Sequence, residues 1–195
     1  MNSFLITLVV GARPNFIKIA PIVRQLDMLK TNYRLIHTGQ HHDTKMNDIF
    51  FSELGIPEPN QYLHSTSNTP IQQISKIMIN FENECLANPP SMILVVGDVN
   101  STLACSIVAK KLNIKLAHVE AGLRSGDREM PEEINRIITD SISDLFFVTE
   151  PSGVINLLNE GHCKDKVHYV GNVMIDNLLY QKAKLDNMTL INFKT

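Results

Sequence analysis

The sequence predicts a doubly wound α/β domain built on a mainly parallel sheet, and three observations predict it. Short apolar runs alternate with segments whose apolar residues recur every three or four positions, the period of a helix packed on one side. The apolar runs are nearly continuous, as in strands covered by helices on both faces. Several runs end in turns that carry polar or charged groups: Gly11-Ala12-Arg13-Pro14, Thr38-Gly39-Gln40-His41, Gly97-Asp98 and Glu120-Ala121-Gly122. With right-handed crossovers such turns share the carboxyl edge of the sheet, where open parallel sheets bind ligands.

Residues 4–10 form the first buried strand, stopped by the turn at 11–14. Phe16, Ile19, Ala20, Val23 and Leu26 then mark an amphipathic helix, either kinked at Pro21 or regular only from there on. Arg13 and Lys18 stand at its start, where free N–H groups and the helix dipole already favour an anion. The glycine spacing is neither that of a Walker A loop nor that of a GxGxxG turn. Residues 33–37 make a second strand, followed by the polar stretch 38–43 and a helical pattern through Met46, Ile49, Phe50 and Leu54. His41, His42 and Asp43 invite a metal reading. Zinc ligands usually converge from different turns, however, and no further Cys/His cluster joins these, so hydrogen bonding to a polar ligand fits better.

Residues 55–69 connect, with one short strand near Tyr62-Leu63. Thr69-Pro70 opens a long helix with Ile71, Ile74, Ile77, Met78 and Phe81 on one face, and Pro89-Pro90 stops it. Residues 92–96 are the next buried strand. Asp98 follows directly, placed either for chemistry or as the N-cap of the helix carrying Leu103, Ile107 and Val108, a job Ser101 or Thr102 could share.

The strand at 114–119 leads into the most charged stretch of the chain, residues 118–136. Glu120 falls at the strand's carboxyl end, and a polar loop runs to Met130-Pro131-Glu132-Glu133, where a proline and two acids suit a helix N-terminus. Arg136 follows Glu132 at i+4, which predicts an ion pair on one helical face. The helix continues through Ile134, Ile137, Ile138 and Ile142. A strand at 145–148, a short helix around 154–158, a strand at 167–170 and a helical pattern at 173–179 complete the alternation. Residues 1–180 read as one Rossmann-like domain and 181–195 as a polar tail.

Composition narrows the function. A 195-residue chain with 44% hydrophobic and 19% charged residues and a net charge of −2 has no electrostatic footprint for nucleic acid or an anionic membrane surface. No apolar run approaches the roughly 20 residues that span a bilayer. The start, MNSFLITLVVG, lacks a basic leader segment and reads as the first strand. Cys85, Cys105 and Cys163 have no paired spacing, which argues against a disulfide framework and a zinc site and predicts a reducing, cytoplasmic setting.

The set GARPNFIK (11–18), TGQHHD (38–43), GDVNSTLA (97–104), HVEAGLRS (118–125), MPEEINR (130–136), TEPS (149–152) and GNVMID (171–176) resembles the non-hydrolysing UDP-N-acetylglucosamine 2-epimerases, in order from about residue 4 to about residue 180. The resemblance implies one half of a two-domain fold like that of the B-type glycosyltransferases. It implies interconversion of UDP-N-acetylglucosamine and UDP-N-acetylmannosamine for surface polysaccharides, through UDP elimination to 2-acetamidoglucal and re-addition, with no metal or other cofactor. By motif, Asp98, Glu120 and Glu132 match the family's acidic catalytic positions, Arg13 and Lys18 its basic ones, and Arg136 the arginine of its PEExNR motif. Gln40 and His41 match the place where some members bind a second, activating UDP-sugar. Ala12 and Asn15 depart from the family's common GTRPE, and the loop between Arg124 and Pro131 is shorter than in many members. The second domain, with most UDP-binding residues and a catalytic histidine, has no counterpart in these 195 residues. The expected partners are therefore a UDP-sugar, a C-terminal half on a separate chain, and further copies of the chain through the face the second domain would cover. The alternatives are a non-catalytic binding module and half of a B-type glycosyltransferase.

Overall fold

The computed structural model describes residues 4–39 and 48–186. Seven strands, β1 (Ile6–Val10), β2 (Tyr33–His37), β3 (Gln61–Tyr62), β4 (Met92–Val96), β5 (Lys115–Val119), β6 (Leu145–Val148) and β7 (Val167–Tyr169), form one sheet in the order β3-β2-β1-β4-β5-β6-β7. Every pairing is parallel, so the expected "mainly parallel" sheet is parallel throughout the described residues. The helices are α1 (Arg13–Met28), α2 (Asp48–Leu54), α3 (Pro70–Ala87), α4 (Asn100–Lys111), α5 (Pro131–Ile142), α6 (Pro151–Asn159) and α7 (Val173–Asp186).

The two-residue period of the strands divides the core. Leu8 and Val10 of β1, Leu94 and Val96 of β4, and Ala117 and Val119 of β5 face Phe16, Ile19 and Val23 of α1. The alternate residues, Val9, Ile93, Val95 and Leu116, face Ile77 and Phe81 of α3 and Ala104 and Val108 of α4. Both faces are apolar because both carry helices, which is why the strand sequences do not alternate. The chain winds one way from β1 through β2 to β3, then returns past β1 to β4 and winds the other way. The reversal falls between β1 and β4, the position at which this fold opens a ligand crevice.

Four local expectations are corrected. Helix α1 is continuous from Arg13 through Pro21, with no restart at the proline. Asp98 does not cap α4: the N-cap is Val99, with no side-chain bond, and the Asp98 carboxylate is engaged elsewhere. Helix α7 runs past residue 180 to Asp186. Helix α5 turns a polar stripe inward. Glu133, Asn135, Thr139 and Asp140 are buried, whereas Ile134 and Ile138 are more than a third exposed. No helix among the described residues is long and apolar enough to cross a membrane.

Candidate active site

The carboxyl ends of β1, β4 and β5 lie side by side, and the charged residues that follow them meet there. The turn after β1 is held by Asn15, whose Oδ1 accepts the Gly11 and Ala12 N–H groups at 3.2 and 3.0 Å while its amide donates to the Val96 carbonyl at 3.1 Å. This buried asparagine thus ties the β1 turn to the end of β4. One turn further along α1, Lys18 Nζ lies 2.5 Å from Glu120 Oε2. Both groups are largely buried yet reachable, with 18% and 12% of their side-chain surfaces exposed.

Gly97 is the floor under this pair. Its φ of +70° suits glycine, and a β-carbon there would stand 3.3 Å from both Lys18 Nζ and Glu120 Oε2. Glu120 itself has a φ of +70°, an uncommon conformation for a side chain of its size, while its N–H is bonded to the Phe147 carbonyl. Immediately after Gly97, the Asp98 carboxylate meets Arg136 at 2.5 Å, and the Asp98 carbonyl accepts from the Asn135 amide at 2.8 Å. Two ion pairs, Lys18–Glu120 and Arg136–Asp98, therefore flank one turn.

The predicted Glu132–Arg136 pair is corrected. Arg136 binds Glu133, three residues back, at 2.9 Å, and Glu132 is exposed at the first turn of α5 and enters none of the ion pairs among the described residues. The buried Glu133 carboxylate also accepts the Ser125 and Gly126 N–H groups at 3.0 and 3.1 Å, so it fixes the loop before α5. Burial alone would raise its pKa, but these N–H groups and Arg136 outweigh burial and hold it below the usual value. Burial opposes charge on Arg136, but Glu133 and Asp98 together raise its pKa.

Arg13 stands apart from this cluster. It is exposed at the start of α1, its guanidinium 5.1 Å over the Phe50 ring, and it lines a hollow shared with Lys184 of α7. Gln40 and His41 lie outside the described residues, as do His42 and Asp43. Among the described residues no His, Cys, Asp and Glu converge as a metal site would require.

Sequence reasoning missed the layer beneath the site. His118, wholly buried on β5, puts Nδ1 2.6 Å from Asp140 Oδ1 and Nε2 2.9 Å from the Gly97 carbonyl. Asp140 Oδ2 accepts the Gly122 N–H at 3.0 Å and Arg124 at 2.7 Å, and Arg124 in turn grips Glu160. Burial works against charge on both members of the pair. The attraction between them prevails, raising His118 and lowering Asp140. The one available signal was the polar positions Thr139 and Asp140 amid the isoleucines of α5.

Fold and site together define a Rossmann-like domain of the kind found in B-type glycosyltransferase-like proteins, with two carboxylate–cation pairs at the switch point. Acinetobacter baumannii MurG shares the fold alone, at 11% identity and a TM-score of 0.54 over 77% of this chain. The family described as UDP-N-acetylglucosamine 2-epimerase matches over residues 25–194, and the chain belongs to that family. It is 44% identical over 174 residues to a Methanocaldococcus jannaschii UDP-N-acetylglucosamine 2-epimerase, covering 89% of this chain and 48% of the relative. It is 43% identical over 175 residues to a Pseudomonas aeruginosa UDP-2,3-diacetamido-2,3-dideoxy-D-glucuronate 2-epimerase, covering 88% and 49%. The crystal structure of the M. jannaschii UDP-GlcNAc 2-epimerase in complex with UDP-GlcNAc and UDP superposes with a TM-score of 0.90 at 41% identity, over 95% of this chain and 51% of that one. The chain spans about half the length of the curated relatives it matches.

Proposed function

We propose that this chain is the N-terminal, sugar-side half of a UDP-N-acetylglucosamine 2-epimerase, working in the cytoplasm to supply an epimerised nucleotide sugar for polysaccharide synthesis. The Lys18–Glu120 pair against Gly97, beside Arg136–Asp98, carries the reading: it gathers two carboxylates and two cations at one crevice. Epimerisation at C2 needs a base to take the C2 proton as the C1–O bond to UDP breaks. Re-addition needs an acid to return a proton to the opposite face of the resulting 2-acetamidoglucal. Carboxylates held in different surroundings suit the two tasks. We assign them to Asp98, Glu120 and Glu132, with Arg13, Lys18 and Arg136 as cations toward the sugar and its leaving diphosphate. Gln40 and His41 are assigned to an activating UDP-sugar, and the UDP moiety to a C-terminal half. The free state of Cys85, Cys105 and Cys163 supports the cytoplasmic setting.

The near-equal identity to the diacetamido-glucuronate enzyme favours a second sugar, so both UDP-2-acetamido sugars belong in the assay. Deuterium uptake at C2 in D2O is followed with this chain alone and with a relative's C-terminal half added. The expected result is no normal turnover alone and recovered turnover in the mixture. Ordinary turnover by the chain alone would overturn the split-enzyme reading. Ligand binding without recovered turnover would instead support a non-catalytic module.

A further inference from the structure

We propose that His118 is a positioning residue for this site: an imidazolium, protonated through the neutral range, whose two N–H groups clamp the Gly97 carbonyl and the Asp140 carboxylate and so set the turn that carries Asp98. The protonation follows from what faces the ring. Nε2 meets a peptide carbonyl, which can only accept, at 2.9 Å. Nδ1 meets Asp140 Oδ1 at 2.6 Å, and the other oxygen of that carboxylate is already taken by the Gly122 N–H and the Arg124 guanidinium. A cation bound to Asp140 keeps the carboxylate ionised, so the shared proton belongs on the ring. A neutral imidazole would aim a lone pair at one of two oxygens with no water to intervene, because both His118 and Asp140 are fully buried.

The clamp acts where the chemistry is placed. The Gly97 N–H is bonded to the Val119 carbonyl and the Gly97 carbonyl to the His118 ring, so β5 grips both sides of the residue before Asp98. The charge also bears on the site. Glu120 is close enough to contribute to the ring's electrostatics. Lys18 pairs with Glu120, and Arg124 with Asp140. Charges therefore alternate from Lys18 through Glu120, His118 and Asp140 to Arg124 and Glu160. His118 is the one link in that row whose charge depends on an added proton near neutral pH.

The catalytic half of this inference rests on the proposed epimerase reading; the protonation and the clamp do not. Imidazole nitrogen–proton correlations are recorded on the 15N-labelled 195-residue chain from about pH 5.5 to about pH 8.5, either side of the ordinary histidine value of about 6.5. The expected result is a doubly protonated His118 throughout, and a ring carrying one proton at neutral pH overturns the proposal. In H118N, amide exchange is expected to quicken at Gly97 and Asp98 while that of β1 and β2 stays as in the unaltered chain. Unchanged exchange at Gly97 and Asp98 in the folded variant overturns the clamp. With a C-terminal half added, H118N is expected to lose about a hundredfold in kcat with little change in KM, the cost of a reacting group displaced by about 1 Å. An equal fall in affinity, or unchanged kcat, overturns the positioning role. If even the unaltered mixture is inactive, the epimerase reading falls, and the ring protonation and exchange still decide the clamp.

Discussion

Glu120 and Gly97 hold the same left-handed backbone conformation at the ends of neighbouring strands, one as a glutamate and one as a glycine. The conformation costs an L-residue about 1–2 kcal/mol, a strain that tends to persist where function needs it. For Glu120 the strain aims the carboxylate back over Gly97 toward Lys18. G97A is expected to lose at least that 1–2 kcal/mol in urea unfolding and to loosen the Lys18–Glu120 contact, because its new methyl would press on both groups. Stability should also depend on pH in a stated sense. Asp140, Glu133 and Asp144 are held below their ordinary values, so their contribution is complete above about pH 4–5 and is lost as pH falls through the lowered folded values. His118 is raised, so its contribution is complete below about pH 6.5 and is lost only as pH climbs through its folded value. Melting temperatures measured across pH should therefore fall on the acid side first, while a flat acid limb would contradict the paired carboxylates. At this scale the sequence showed which acids follow strands. It could not choose between Glu132 and Glu133 as the partner of Arg136, because residues at i+3 and i+4 both share a helical face. The Ser125 and Gly126 N–H groups favour Glu133, and those depend on how the loop folds back.

Helix α5 is the element the site depends on. Its inward stripe supplies Glu133 to the loop, Asn135 to the Asp98 carbonyl and Asp140 to His118, while its isoleucines are left partly in solvent. E133A should therefore loosen the loop. Freed of their acceptor, the exposed residues 125–128 become a better protease substrate, and tryptic cleavage after Arg128 is expected to accelerate several-fold, beyond what the loss of this buried, ion-paired carboxylate costs in global stability. Unchanged cleavage would show that the loop is held by something else. The strands and α1, α3 and α4 were legible because apolar period and proline or glycine stops agree there. Helix α5 misleads: its apolar residues have the right period, but a buried polar network takes the inward face, and such a network leaves no periodic trace. At Pro21 the sequence left a continuous but kinked helix and a restart both open, and packing on the sheet outweighs the local penalty of a helical proline.

Over the whole molecule, exposed apolar side chains are spread over α3, α5, α6 and α7 and are densest on α7. Met174, Ile175, Leu178, Leu179 and Leu185 lie there, and the exposed Tyr169 and Val170 precede that helix in the chain. Surfaces of that kind associate. The 195-residue chain is expected to elute above its monomer mass in size exclusion with light scattering as concentration rises, and a clean monomer throughout would contradict this. The doubly wound fold class was readable from the alternation of runs and helical periods. The meeting of Lys18 with Glu120, 102 positions apart, was readable only as a shared edge.

The sheet order also bears on how the chain is made. β1 lies between β2 and β4, and its pairing with β4 joins Ile6 to Met92. Of the described strands, the earliest in the chain is thus a central one, and one of its flanks stays unpaired until residue 96 has been made. Until then β1 is an apolar edge open to stray strands, and a chaperone that shields nascent chains would find its earliest work there.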